Sequence, residues 1–303
     1  MDIKSKIFLI AGPTASGKSS FAIKLAKKIN GEIINADSMQ VYKELSVLTA
    51  RPKKKDQKNI KHHLYGFQSV KNNFSTGQWL TLAKKKIKET QKKNKIPVLV
   101  GGTGLYFKAM TEGLVKIPKV PLKLRNEIRD QQKKIGQDAF YKKLIKLDPL
   151  IKNKINPNDT QRSIRAFEVK KYSKVSLIDW FKKTNKKFKD KDFLKIYIDF
   201  PRQDLIKRIN IRVDKMIKEG AINEVKKFLK LNIKKDKSPN KIIGINEIKK
   251  YLRKEIDLKL TKELIAIKTR QYAKRQNTWA RNKMLSWNKI NPKDFQSFLK
   301  KIH

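Results

Sequence analysis

Gly12-Pro13-Thr14-Ala15-Ser16-Gly17-Lys18-Ser19 spells G-x-x-x-x-G-K-S directly after the apolar run 7–10. These residue types at this spacing bind phosphate. The glycines let backbone N–H groups turn inward around an anion, Lys18 adds a point charge for the terminal phosphate, and the Ser19 hydroxyl suits magnesium. A helix beginning near Lys18 adds the positive end of its dipole. The motif leaves open what the other end of the phosphate carries.

Two further groups fall where a parallel sheet would bring them to that loop. Asp37 closes the run 32–36, and Thr103 lies in Gly101-Gly102-Thr103-Gly104 after the run 96–100. In open α/β sheets ligands gather at the carboxyl ends of the strands. Asp37 is then either a site carboxylate or the cap of a following helix, and Ser38-Met39-Gln40-Val41-Tyr42 offers polar groups to a base edge. Thr103 either points into the crevice or belongs to a plain strand-to-helix turn. Arg162 and Arg165, one turn apart behind a capping Asp159, either grip phosphate or a base or form a solvated face. Arg212 sits beside an apolar stripe and can reach across it. Arg270, Lys274, Asn277 and Arg281 share one helix face with Trp279 nearby, which suits a nucleic-acid backbone or a soluble surface.

The elements that must carry these groups are legible. The runs 7–10, 32–36, 96–100 and 194–200 read as strands. Phe21, Leu25 and Ile29 keep helical spacing up to Asn30-Gly31, and Leu80, Ala83 and Ile87 do so within 79–90. Leu205, Ile209, Val213 and Met216 form another stripe, and 261–281 reads as a long helix. His62-His63 reads as local packing or as a contact behind the site. Between Pro118 and Asp192 prolines punctuate charged, helix-like segments without buried strands, and 182–191 is a lysine-dense linker. The expected fold class is α/β, a parallel sheet flanked by helices with an inserted, mostly helical domain: core 1–117, insertion 118–192, return to the core 193–303.

The chain has 303 residues, enough for a substantial core. It has no cysteine and three histidines, which excludes disulfides and thiolate metal sites and disfavours a histidine-based one. No apolar run has membrane-spanning length, and Met1 to Lys6 lacks the shape of a secretion signal, so a cytoplasmic protein is expected. Lys+Arg 75 against Asp+Glu 27 gives +48, pointing to a polyanionic partner, nucleic acid first, unless a lysine-rich proteome inflates the charge.

The phosphate loop, Asp37-Ser38-Met39-Gln40-Val41-Tyr42, Thr49-Ala50-Arg51-Pro52, His62-His63-Leu64 and Pro97 through Tyr106 occur in one order. They are followed by Asn158-Asp159 with Gln161-Arg162, Arg165-Ala166-Phe167-Glu168-Val169, and Ala273-Lys274-Arg275-Gln276 with Thr278-Trp279. The ordered set, spanning most of the chain, resembles the tRNA dimethylallyltransferases (isopentenyltransferases). That resemblance implies a P-loop α/β core with a helical insertion, acting as a monomer. It implies transfer of a dimethylallyl group from its diphosphate to the exocyclic amine of the adenosine beside the tRNA anticodon. Carried over by motif, Gly12 to Ser19 hold the diphosphate with Mg2+ on Ser19. Asp37 is the general base, and Thr103 and Arg212 stabilise the diphosphate. Asp37, Ser38, Met39, Gln40, Thr103, Arg125 and Gln161-Arg162-Ser163-Ile164-Arg165 contact the anticodon stem-loop. The sequence departs from the pattern at Lys43 to Leu48, where a glycine is usual, and at Lys61, Arg51, Asn156 and Ile245, without removing a proposed catalytic group. Competing classes are an RNA-binding P-loop ATPase or small-molecule kinase, and a pure RNA-binding module.

Overall fold

The computed structural model describes residues 5–57, 59–184 and 186–302. The strands are β1 (Ile7–Ala11), β2 (Gly31–Asn35), β3 (His62–His63), β4 (Ile96–Gly101), β5 (Phe193–Ile198) and β6 (Asn288–Ile290). They form one sheet in the order β3-β2-β4-β1-β5-β6, with every neighbouring pair parallel. Parallel pairing places all the loops after the strands along one edge, which brings the sequence motifs together. The chain divides into two compact units, Met1–Thr111 with Phe188–His303, and Glu112–Lys187.

In the first unit β1, β2 and β4 are buried along their whole length, which explains the apolar runs rather than alternations at 7–10 and 96–100. Ile7 and Leu9 face a layer containing α2 (Thr76–Gln91) and α3 (Gly104–Glu112). Phe8 and Ile10 face α1 (Lys18–Lys28). The helix α2 begins before the spacing of its apolar residues indicates, because Ser75 and Gln78 cap it reciprocally: Gln78 N–H donates to Ser75 Oγ at 3.2 Å, and Ser75 N–H to Gln78 Oε1 at 2.9 Å.

The second unit is helical, as its composition indicates: α4 (Leu122–Leu147), broken at Gly136 (φ 77°), α5 (Thr160–Ser173) and α6 (Leu177–Lys182). Phe140, Leu144, Ile151 and Phe167 make its own core. Asp159 caps α5, accepting from Arg162 N–H at 2.9 Å.

Back in the first unit, α7 (Arg202–Lys218), α8 (Ala221–Lys230), α9 (Ile245–Leu252) and α10 (Leu258–Lys283) enclose a further apolar cluster around Leu205, Ile209, Val213 and Ile265. The expected strand 194–200 is β5, and the expected helix 261–281 is α10, extended to an Asp257 cap that accepts from Leu260 N–H at 2.7 Å. The edge strand β6 and α11 (Phe295–Lys301) carry too few apolar residues to stand out in sequence, yet Ile290, Leu299 and Ile302 complete the layer under α1.

His62-His63 forms the edge strand β3. His63 Nε2 lies 2.7 Å from Glu32 Oε2, a carboxylate buried on β2 that also accepts from Thr90 Oγ1 at 3.2 Å, with Lys95 at 3.5 Å. Burial lowers the His63 pKa despite the acid beside it. Burial also raises Glu32, but the His63 hydrogen bond and the nearby cations outweigh it and leave that pKa below the carboxylate range. Both groups bind protons less readily folded than unfolded, so stability is full at neutral pH. It falls first as the unfolded His63 titrates near about 6.5, then as Glu32 does near about 4.3. Thermal melts of His63→Gln across pH 7 to 5 are expected to lose stability less steeply than the parent chain.

Candidate functional site: a phosphate loop facing a carboxylate

The loop between β1 and α1 uses two left-handed residues, Ala15 (φ 64°) and Gly17 (φ 83°), to curl the backbone. Consecutive turns of this kind make an anion-binding concavity. Gly17 is the cap of α1 and offers no side-chain acceptor, and no acid occupies the first turn, so the initial N–H groups of α1 have no intrahelical partner. Ser16 Oγ is buried without a hydrogen-bond partner in the chain. A buried hydroxyl left orphaned inside an N–H-rich loop fits a phosphate oxygen.

Lys18 bends back to donate to Pro13 O at 3.1 Å. Burial lowers its pKa to about 8, opposed by the charge of Asp37 and assisted by that of Arg212. On α7, Arg212 is half-buried, and its own pKa is lowered by burial against the pull of Asp37. One carboxylate and two cations from three separate elements thus share one crevice.

Asp37 caps a turn rather than a helix. Its Oδ1 accepts from Met39 N–H at 2.9 Å and Gln40 N–H at 3.4 Å, the geometry of a cap, although no helix follows. This fixes the carboxylate through Oδ1. Asn35 holds the residue from behind, accepting from Asp37 N–H at 2.9 Å and donating to Asp37 O at 3.0 Å. Three tyrosines, Tyr65, Tyr106 and Tyr272, have pKa values raised by burial and by Asp37, so they stay neutral donors beside it. Thr103 Oγ1 accepts from Ser38 N–H at 2.9 Å and donates to Ser38 Oγ at 3.2 Å, tying the strand ends of β2 and β4 together. A Cβ on Gly101 would sit 2.1 Å from the Ala36 backbone, so only glycine permits that approach.

Beside Asp37 opens a cavity of about 280 Å3 whose walls include Met39, Leu48, Met216, Ile242 and Ile265, with Arg212 and Tyr272 at its polar part. The wall carrying Leu48 is anchored by Glu224, which accepts from the N–H groups of Ser46, Val47 and Leu48 at 2.6, 2.8 and 2.9 Å. Arg51 supports the same region, donating to Tyr42 O at 3.0 Å, and the Gln40 amide donates to Thr49 O at 2.9 Å. Ser46 to Leu48 lie in the segment where the sequence departs from the family pattern, and Glu224 is the group that holds them.

Among the residues of the second unit assigned to tRNA, Gln161 and Arg162 are exposed, and Arg125 and Arg165 are partly so. Ser163 faces inward instead: it is fully buried and accepts from Gln137 Nε2 at 3.2 Å. Ile164 packs against the core of that unit. Of the α10 residues read as a basic face, Asn277 accepts from Tyr197 OH at 2.6 Å, and Trp279 covers Gly104, where a Cβ would stand 2.4 Å from the ring. Trp279 is therefore a packing residue, whereas Lys274 and Arg281 remain exposed.

For magnesium, Ser19 is half-buried in the first turn of α1, and among the described residues no cluster of three acids or histidines could hold a metal. A Ser hydroxyl together with phosphate oxygens and waters is a donor set magnesium accepts, so the residues fit an ion that arrives with a diphosphate.

Gln276 carries no charge and drew no role from sequence, yet it joins the site to α10. Its Oε1 accepts from Thr14 N–H at 2.8 Å, and its Nε2 donates to Gly102 O at 2.9 Å. One amide therefore clamps the phosphate loop to the glycine loop after β4. Gln276→Ala would orphan both backbone groups; denaturant unfolding is expected to show a loss of about 1–3 kcal/mol, with weaker diphosphate binding.

The family model described as IPP transferase matches residues 40–283. A tRNA dimethylallyltransferase of Pelagibacter ubique is 63% identical over 302 residues, covering 100% of this chain and 96% of that protein. One from Rickettsia massiliae is 42% identical, covering 98% and 83%. Among solved structures, a full-length tRNA isopentenylpyrophosphate transferase from Bacillus halodurans superposes with a TM-score of 0.69 at 34% identity, over 99% of this chain and 94% of that one. A eukaryotic dimethylallyltransferase, captured acting on tRNA, gives a TM-score of 0.79 at 30% identity, over 91% and 69%. With the phosphate loop, Asp37, Thr103 and Arg212 in the places described, the chain belongs to the tRNA dimethylallyltransferase family.

Proposed function

We propose that the chain transfers a dimethylallyl group from dimethylallyl diphosphate to the exocyclic amine of the adenosine beside the anticodon of tRNA, releasing diphosphate. The observation that carries this reading is a cavity whose lining joins Asp37 and Arg212 to the apolar side chains of Leu48, Met216 and Ile265, with Lys18 close to both charges. Allylic C–O cleavage leaves negative charge on diphosphate and positive charge on the allyl fragment. The N–H groups of the loop, Lys18 and Arg212 oppose the first charge, and prepositioned donors of this kind contribute several kcal/mol in a site screened from water. Thr103 holds Ser38 and the strand ends in register for the same leaving group.

The attacking adenine amine is a weak nucleophile because its lone pair is delocalised into the ring. Asp37, fixed by Met39 and Gln40 through Oδ1, takes the amine proton at Oδ2 as the N–C bond forms, a contribution of roughly 10²–10⁴-fold. The dimethylallyl group has only carbon and hydrogen, so the aliphatic walls at Leu48, Met216 and Ile265 exclude water from it. Magnesium on Ser19 would supply charge neutralisation to the diphosphate. The tRNA presents a loop base, which costs less to extrude than a paired one. Gln161, Arg162 and Arg165 are the residues proposed to meet it. Among the described residues no helix is long and apolar enough to cross a membrane, and cytoplasmic action as a monomer is part of the proposal.

Incubation with dimethylallyl diphosphate, magnesium and unmodified tRNA is expected to add one prenyl mass to a single adenosine. Phosphoryl transfer or ATP hydrolysis without prenylation would instead establish the kinase or ATPase reading. Asp37→Asn is expected to lower kcat by roughly 10²–10⁴-fold while tRNA binding, followed by filter retention, stays close to the parent; turnover near the parent value would remove Asp37 from the base role.

A further inference from the structure

The reaction chemistry leaves one motif without a role, Arg165-Ala166-Phe167-Glu168-Val169 on α5. Glu168 is 2% exposed and lies among three arginines. Arg125 Nε and Arg129 Nε, both from the first half of α4, are 3.5 and 3.6 Å from its Oε1, and Arg165 Nη1 is 3.4 Å from its Oε2. Arg125 Nε and Glu168 Oε1 are buried without a hydrogen-bond partner. The arginine side chains are 39%, 41% and 41% exposed, so each is partly open to solvent.

Three guanidinium groups converging on one carboxylate leave two positive charges uncompensated. Such convergence is unfavourable on its own, and mobile surface arginines would spread apart. Here the buried carboxylate fixes them. Arg125 and Arg129 turn their Nε edges toward Glu168, so their terminal N–H groups are the ones left for an outside acceptor. A forked set of donors carrying surplus charge matches phosphate oxygens. The neighbouring Arg162 behaves differently, being neutralised by Asp159 at 2.5 Å. An RNA backbone is the phosphate source that agrees with +48 over the chain and with exposed Gln161 on the same helix.

We propose that Glu168 is a positioning residue that assembles Arg125, Arg129 and Arg165 into a clamp for a backbone phosphate of the tRNA. This rests on the tRNA-substrate reading above and adds Arg129 and Glu168 to it. The three arginines hold the phosphate; Glu168 touches only the arginines.

The test is titration of unmodified tRNA against the full chain over a range of salt concentrations, with melting temperatures as the control for folding. Arg129→Gln alters a side chain that is partly exposed. It is expected to weaken binding roughly tenfold and to lower the slope of log K against log salt by about one. In steady-state assays the loss should fall on KM for tRNA rather than on kcat. Glu168→Gln keeps the shape and removes a negative charge, so simple charge counting predicts tighter binding, whereas positioning predicts weaker binding and a shallower slope. Unchanged binding in Arg129→Gln, or tighter binding in a folded Glu168→Gln, overturns the clamp. Should Glu168→Gln not fold, Arg129→Gln decides alone. A parent chain that binds tRNA through Arg129 but transfers no dimethylallyl group overturns the functional reading and leaves the clamp standing.

Discussion

A half-buried lysine at the carboxyl edge of a parallel sheet, close to a carboxylate and a guanidinium, sets the conditions for everything around it. Burial is costly for Lys18, and Arg212 adds like charge, so its pKa is lowered to about 8 even with Asp37 present. The fold tolerates this because the surrounding backbone is held from several sides. Asn35 and the turn at Met39 and Gln40 fix Asp37, Thr103 joins the β2 and β4 ends, and Gln276 ties the phosphate loop to Gly102. On the proposed reading, an anion in the loop would favour the charged forms of Lys18 and Arg212 together. A whole diphosphate leaving group carries enough charge to do so.

The parts of this arrangement visible in sequence are those with local signatures. The buried parallel strands show as unbroken apolar runs, the loop as glycine and lysine at fixed spacing, and the helical unit as charged segments between prolines. Asp37 and Thr103 were placed because a parallel sheet must bring its strand ends to one edge. Gln276 and Glu224 escaped because each acts on backbone groups more than 170 residues away, Gln276 on Gly102 and Glu224 on Ser46 to Leu48. No local pattern encodes such a contact. Trp279 is a similar case: it lies near a helix face that suits a nucleic-acid backbone or a soluble surface, yet its ring packs over Gly104, far away in sequence. Ser163 shows that one short motif can carry buried and exposed residues side by side.

The positive charge is also unevenly used. Some lysines serve structure, as Lys95 does at Glu32, and others lie exposed without a defined acid. Around Glu168, by contrast, a buried acid gathers arginines beyond its own charge, which distinguishes a built anion site from a merely basic surface. On the proposals made above, the two units divide the work by chemistry: one supplies the crevice in which a C–O bond breaks, the other a surface for a polyanion.

The central claim is that the loop at Lys18 is a pocket for the departing diphosphate, and an NMR pH titration of the Lys18 side chain tests it most directly. The account predicts a pKa near 8 for the protein alone, rising when inorganic diphosphate and magnesium are added, because the bound anion favours the charged amine. A pKa that is unchanged by diphosphate would contradict it.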